Sequence, residues 1–335
     1  MSFKLLLYAP DGHPEQNLQT WPETLRDLIP GIDVTVAESE GEAIESIKDA
    51  DAAFGNIGSE IFRHANNLKW LACPQAGPSA GWYHSDLIDS DVIVTNTRDI
   101  YNDHISTHIL SFILAFARGL NRYFPHQLKG EWHRPNYPIR HLPDCTVLII
   151  GVGGIGAETA RLCKNFGLTV LGSDPRVEDS LDHVDELVHP DEVGVMIPRA
   201  DFVVSTVPET PQTQNYFNAK FFSQMKRESY FVNIGRGATV VLDDLNESLR
   251  KGDLSGAALD VFQIEPLPHD HPLWTAPGII ITPHVAGEGP YLPERRTELF
   301  LNNCTTNPAD ASHSAQPLTI AEILFIFLFI RSTLT

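Results

Sequence analysis

The segment Thr146-Val147-Leu148-Ile149-Ile150 runs into Gly151-Val152-Gly153-Gly154-Ile155-Gly156 and then into a helical pattern over residues 157–166. A short apolar, β-branched strand followed by a G-x-G-x-x-G turn and a helix is the opening of a βαβ unit in a doubly wound parallel sheet. Gly151 permits the tight turn, Gly153 lets the backbone approach a pyrophosphate, and Gly156 lets the helix pack against the strand. Gly154 and Ile155 begin the helix, where unpaired N–H groups face a phosphate. A second strand, 169–172, leads to Asp174, 18 residues beyond Gly156. A carboxylate there accepts hydrogen bonds from ribose hydroxyls and repels a 2′-phosphate, so the expected cofactor is NAD rather than NADP. Arg176, two residues later, is read as a solvated cation, the alternative being that it swings toward a 2′-phosphate.

The same alternation extends in both directions. Residues 4–8, 32–36, 52–54, 69–72 and 92–95 read as strands, with a helix over 40–50, and form a βα-type domain of their own. Residues 146–150, 169–172, 202–206, 230–233, 257–259 and 279–282 form the second series. The expected fold is α/β, with two Rossmann-like doubly wound parallel-sheet domains and a dinucleotide-binding domain inserted into a flavodoxin-like substrate domain. The expected limits are 99–290 for the former and 1–98 plus 291–335 for the latter. Residues 105–120 read as a buried or interface helix. The aromatic, Pro-rich stretch 122–143 reads as an irregular arm wrapped over another surface, such as a second subunit.

Composition narrows the partners. A formal charge of −19 over 335 residues disfavours nucleic acid and anionic membrane. The cysteines at 73, 145, 163 and 304 form no C-x-x-C pair, so neither a metal site nor a disulfide framework is expected. No signal peptide is apparent, and the default location is the cytoplasm.

Three further segments close strands of the second series: Asn233-Ile234-Gly235-Arg236-Gly237, Leu259-Asp260-Val261-Phe262-Gln263-Ile264-Glu265-Pro266 and Thr282-Pro283-His284-Val285-Ala286-Gly287. Ligands of parallel α/β sheets bind beyond the carboxyl ends of the strands. Arg236, Glu265 and His284 therefore converge on one edge as an anion anchor, an orienting carboxylate and an acid–base group.

With these segments in view, residues 1–303 resemble the D-isomer-specific 2-hydroxyacid dehydrogenase family, most densely from 146 to 287. The resemblance implies that Arg236, Glu265 and His284 are catalytic. It puts Asp260 near the nicotinamide and Val207-Pro208, Ile234, Gly235 and Gly287 along the cofactor. Asn56, Ile57 and Gly58 are then expected to hold the substrate carboxylate, with Ala76 and Gly77 of a second loop. Physically, Arg236 offers a fork of donors to a 2-keto carboxylate. His284 gives its proton to the keto oxygen, and Glu265 favours the imidazolium.

The implied protein reduces a small 2-keto acid to its D-2-hydroxy acid, or the reverse, as a homodimer. Alternatives are an NAD(H)-sensing corepressor-like protein and a 3-phosphoglycerate dehydrogenase. Several features depart from the family. The second loop is lengthened, so that Ser79-Ala80-Gly81 competes with Gln75-Ala76-Gly77 for its role, and Trp82 and Tyr83 line a pocket or pack on the body. Thr107 stands where Glu is usual, His104 is extra and read as solvated, and His108 is structural or interfacial. After Cys304 the resemblance ends in a polar stretch, 305–317, and an apolar one, 318–330.

Overall fold

The computed structural model describes residues 3–8, 18–77, 82–134, 139–176 and 181–305. The Ser79-Ala80-Gly81 alternative and the stretches 306–317 and 318–330 lie outside them. The described chain divides into two compact units. One is built from residues up to Ile100 and from Pro290 onward, the other from Tyr101–Gly289.

The first unit holds strands β1 (Lys4–Tyr8), β2 (Asp33–Ala37), β3 (Ala52–Gly55), β4 (Trp70–Ala72) and β5 (Ile93–Thr95), all parallel, in the order β2-β1-β3-β4-β5. The order reverses between β1 and β3, the point at which a crevice opens at the strand ends. Alternate side chains of β1 enter opposite cores: Leu6 and Tyr8 one, Leu5 and Leu7 the other. A sheet buried on both faces reads as a continuous apolar run, and Leu5-Leu6-Leu7 is one. The C-terminal helix Leu292–Thr305 packs on this unit through Phe300, whose ring stacks on Trp21 at 4.6 Å and tilts against Phe54 at 4.7 Å. Trp21 Nε1 donates to Thr297 Oγ1 at 3.2 Å.

The second unit holds β6 (Thr146–Ile150), β7 (Thr169–Ser173), β8 (Glu186–Val188), β9 (Phe202–Ser205), β10 (Tyr230–Asn233), β11 (Gly256–Leu259) and β12 (Ile279–Ile281). They form one parallel sheet in the order β12-β11-β10-β9-β6-β7-β8. Here the reversal falls between β6 and β9. Val147 and Ile149 enter one core, Leu148 and Ile150 the other.

Two expectations need correction. The edge strand β8 is additional to the six read from sequence; three half-buried or exposed residues carry too little periodicity to register. The arm is not irregular at its start. The helix Asn102–Ala117 ends ahead of Gly119, whose φ of 69° turns the chain, and a second helix runs over Leu120–Leu128 with Pro125 inside it. None of that helix is buried, and Leu120, Phe124 and Leu128 form an exposed stripe at i, i+4, i+8.

Candidate active site

The glycine turn lies at the β6/β9 reversal. Gly151 adopts φ 93°, and a Cβ there would press on the Val207 side chain and backbone. A Cβ on Gly156 would fall on the Gly151 carbonyl oxygen, so the helix Gly154–Asn165 reaches the strand only because that position is bare. Thr206 Oγ1 donates to that same carbonyl oxygen and pins the turn from β9. No side chain caps the helix at Gly153, which leaves its first N–H groups available to an anion. The donor set fits a dinucleotide pyrophosphate. Val207 and Ile234 are buried beside the turn, and Ile155 is half-buried.

Asp174 follows β7 and is 2% exposed. Arg176 is not simply solvated, as expected, but paired with it. Its Nε lies 3.2 Å from Oδ1, its Nη2 3.2 Å from Oδ2, and its backbone N–H donates to Oδ1 at 2.9 Å. The local turn through Pro175 brings the fork back over its own carboxylate.

Beyond β10, β11 and β12 the three expected side chains come together. His284 Nδ1 lies 2.7 Å from Glu265 Oε2, and Glu265 Oε1 accepts the Phe262 N–H at 2.8 Å, so both carboxylate oxygens are engaged. His284 has φ 55°, a left-handed conformation that costs a non-glycine residue about 1–3 kcal/mol and persists only where its surroundings impose it. Arg236 Nη1 donates to its own neighbour Gly235 O at 2.6 Å. Burial pulls the Arg236 pKa down, while the charges of Glu209 and Glu265 oppose that shift. Glu209, one residue past Val207-Pro208, was not expected; only its charge and loop position hinted at it.

Asp260 is 1% exposed. Its Oδ1 accepts from Val285 N–H at 3.0 Å and from the Thr282 hydroxyl, and its Oδ2 accepts from Ala286 N–H at 2.9 Å. Its carboxylate therefore ties down the loop after β12. Thr282, two residues before His284, was likewise missed. His104 is half-buried with its ring against Gly289 rather than solvated.

In the first unit, Asn56, Ile57 and Gly58 follow β3 at the β1/β3 reversal, and Asn56 N–H donates to Tyr8 O at 3.3 Å. Ile57 is fully buried, main chain included. Ala76 and Gly77 follow β4, and Asn96 Nδ2 holds the Ala76 carbonyl at 2.8 Å. Trp82 is a core residue with its ring edge-on to Tyr83 at 5.0 Å. Among the described residues no group of three or more His, Cys, Asp or Glu side chains is placed to hold a metal ion. No helix among them is long and apolar enough to cross a membrane.

Residues 110–286 match the family model described as D-isomer specific 2-hydroxyacid dehydrogenase, NAD binding domain. The chain belongs to the D-isomer specific 2-hydroxyacid dehydrogenase family. It is thus an oxidoreductase with a nicotinamide-dinucleotide domain. Among curated relatives, a D-3-phosphoglycerate dehydrogenase of Methanocaldococcus jannaschii is 30% identical over 76% of this chain and 49% of its own length, so the match spans about half of that relative. A glyoxylate reductase of Thermofilum pendens is 28% identical over 81% of this chain and 84% of its own. The fold matches a crystal structure of a D-isomer specific 2-hydroxyacid dehydrogenase from Xanthobacter autotrophicus Py2 in complex with NADPH and MES. Its TM-score is 0.78 at 27% identity, covering 91% of this chain and 94% of that one.

Proposed function

We propose that this dehydrogenase interconverts a small 2-keto acid and its D-2-hydroxy acid with NAD(H), using His284 as the acid–base group. The observation that carries the reading is the His284 Nδ1–Glu265 Oε2 contact at 2.7 Å, beside Arg236, at one strand-end edge. When bound, the nicotinamide dinucleotide supplies or accepts the hydride. Gly151, Gly153, Gly154, Ile155 and Gly156 would hold its pyrophosphate, Asp174 its adenosine ribose, and Val207, Pro208, Ile234, Gly235, Asp260 and Gly287 would border the rest. Arg236 binds the substrate carboxylate through its guanidinium fork and polarises the keto oxygen. His284 donates the Nε2 proton to that oxygen in reduction and takes it back in oxidation. Glu265 accepts the Nδ1 proton, which orients the ring with Nε2 toward the substrate. Asn56, Ile57, Gly58, Ala76 and Gly77 offer backbone groups to the carboxylate.

The chain is further read as a cytoplasmic homodimer. The four cysteines are all free thiols, as suits a reducing compartment. The exposed Leu120–Phe124–Leu128 stripe and the fully exposed Trp132 offer an apolar face to a second copy.

The test is NADH oxidation with a panel comprising glyoxylate, hydroxypyruvate, phosphohydroxypyruvate and longer 2-keto acids, on wild type, His284→Ala and Arg236→Ala. Both variants should lose most activity, and Arg236→Ala should also raise KM for the keto acid. Tight NADH binding with no turnover of any keto acid would replace this reading with the sensing one. A clear preference for the phosphorylated acid would replace it with the phosphoglycerate one.

A further inference from the structure

The loop that carries His284 rests on one face of the helix Asn102–Ala117 and its N-cap, Tyr101. A Cβ on Gly287 would stand 3.5 Å from Tyr101 Cδ1 and 3.9 Å from Ile105 Cδ1, and one on Gly289 would collide with the His104 ring. Tyr101, His104, Ile105 and His108 recur at i, i+3, i+4, i+7, a single stripe of the helix. The bare Gly289 allows the loop to lie close along that stripe.

His108 ends the stripe, with Nε2 3.2 Å from Thr282 Oγ1. The Thr282 hydroxyl has one proton and gives it to Asp260 Oδ1. It must therefore accept from His108, whose Nε2 carries the hydrogen. Burial lowers the His108 pKa, against the opposing charge of Asp260, and so favours the neutral form. The Phe112 ring, edge-on at 4.6 Å, fixes the imidazole plane from the next turn. Asp260 in turn holds the N–H groups of Val285 and Ala286, the two residues that follow His284. The left-handed turn at His284 is thus imposed from behind by a chain of hydrogen bonds that starts on the helix.

We propose that His108 is a positioning residue for His284: through Thr282 and Asp260 it holds the backbone turn that aims the His284 imidazole. The proposal rests on the reading of His284 as the acid–base group. A histidine that merely fills space would be replaced by leucine with little effect on chemistry. A donor in a chain would instead be replaced by glutamine, whose Nε2 amide reaches the same point.

The test compares wild type, His108→Leu, His108→Gln, Thr282→Val and the double variant His108→Leu/Thr282→Val, with NADH and the best keto acid of the panel. His108→Leu and Thr282→Val should each lower kcat about 10- to 100-fold, the scale of a small misplacement of a catalytic group. NADH affinity, read by fluorescence, should stay within about twofold, and His108→Gln should recover most of kcat; the double variant should be no worse than the poorer single one, because both cut one chain. Unchanged kcat in His108→Leu, independent additive losses, or no recovery in His108→Gln overturns the proposal. Should His108→Leu not fold, Thr282→Val carries the same comparison. Absence of turnover in wild type itself speaks against the proposed function. In that case a crystal structure of Thr282→Val decides the coupling, with the His284 turn or its Glu265 contact expected to be lost, and an unaltered loop overturning the proposal.

Discussion

His284 Nδ1 and Glu265 Oε2 meet at 2.7 Å across nineteen residues of sequence, while the other oxygen of the same carboxylate is held by the Phe262 N–H. The carboxylate is anchored in its own loop before it reaches the imidazole. Glu265→Gln can keep the Phe262 bond through its amide oxygen, but it then turns an NH2 toward Nδ1. The ring is forced into a neutral Nε2–H tautomer, a far weaker acid than an imidazolium. We expect kcat for keto-acid reduction to fall about 10²–10⁴-fold, with NADH binding unchanged. Steady-state kinetics alongside NADH titration measures both, and a loss confined to KM would argue against this role for Glu265.

Phe300 closes the first unit from the far end of the chain. It touches Trp21, Phe54 and Trp70, with ring centroids at 4.6, 4.7 and 5.9 Å, and is 2% exposed. Phe300→Ala leaves a cavity among three large rings and should cost about 3–5 kcal/mol. A urea titration followed by tryptophan fluorescence reads it directly, since two of the three partners are tryptophans.

How much of this was legible beforehand depended on how local the signal is. The strand–glycine–helix turn at 146–156 announces itself because each glycine answers a steric demand made by its immediate neighbours, and β10, β11 and β12 end in polar residues that interrupt apolar runs. Asp174 was legible and its partner was not: Arg176 is defined by a turn through Pro175 that brings back a side chain that sequence leaves free to extend into solvent. Thr282 was missed, and His108 was read no further than structural or interfacial, for a different reason. Their meaning lies in a contact across 174 residues, between a helix and a loop, that no periodicity encodes. The helix Leu120–Leu128 was obscured by Pro125, which argues against helix interiors more strongly than its exposed stripe argues for one.

Two histidines should make stability depend on pH. Burial lowers the pKa of His84, against Asp86 and with Arg63 nearby, and likewise that of His108 beside Asp260. Unfolded histidine takes up its proton near about pH 6.5, above the folded values, so the unfolded state binds more protons as pH falls. The stability from these two neutral rings is therefore complete above that pH and is lost as pH drops through their folded pKa values. Urea midpoints measured from pH 7.5 down to 5 should decline below about 6.5. His84→Gln and His108→Gln should each flatten the decline relative to wild type; equal slopes would contradict the assignment.

Cys163 is fully buried in the helix Gly154–Asn165, and burial pushes its thiol up to about 12. Since only the thiolate reacts, native protein treated with iodoacetamide at neutral pH should leave Cys163 unmodified, and denatured protein should not. Peptide mapping separates the two. Rapid labelling of Cys163 in the native enzyme would mean that this helix opens far more readily than its packing implies.

Cofactor choice turns on the Asp174–Arg176 pair. The carboxylate is buried and the guanidinium side chain 62% exposed, with Nη2 so placed that a Cβ on Gly153 would stand 3.2 Å from it. A ribose diol meets an acceptor at Asp174, whereas a 2′-phosphate meets either that negative charge or, if the pair opens, the arginine. Wild type should bind NADH more tightly than NADPH. Asp174→Ala removes the acceptor, releases Arg176, and should cost NADH about tenfold or more, the scale of one hydrogen bond to a charged group, while NADPH gains. Arg176→Ala should leave NADH within about twofold and weaken NADPH further. Fluorescence titration of both cofactors on the three proteins gives the six affinities. Tighter NADPH binding by wild type, lost in Arg176→Ala, would reverse the assignment and make Arg176 the residue that selects the cofactor.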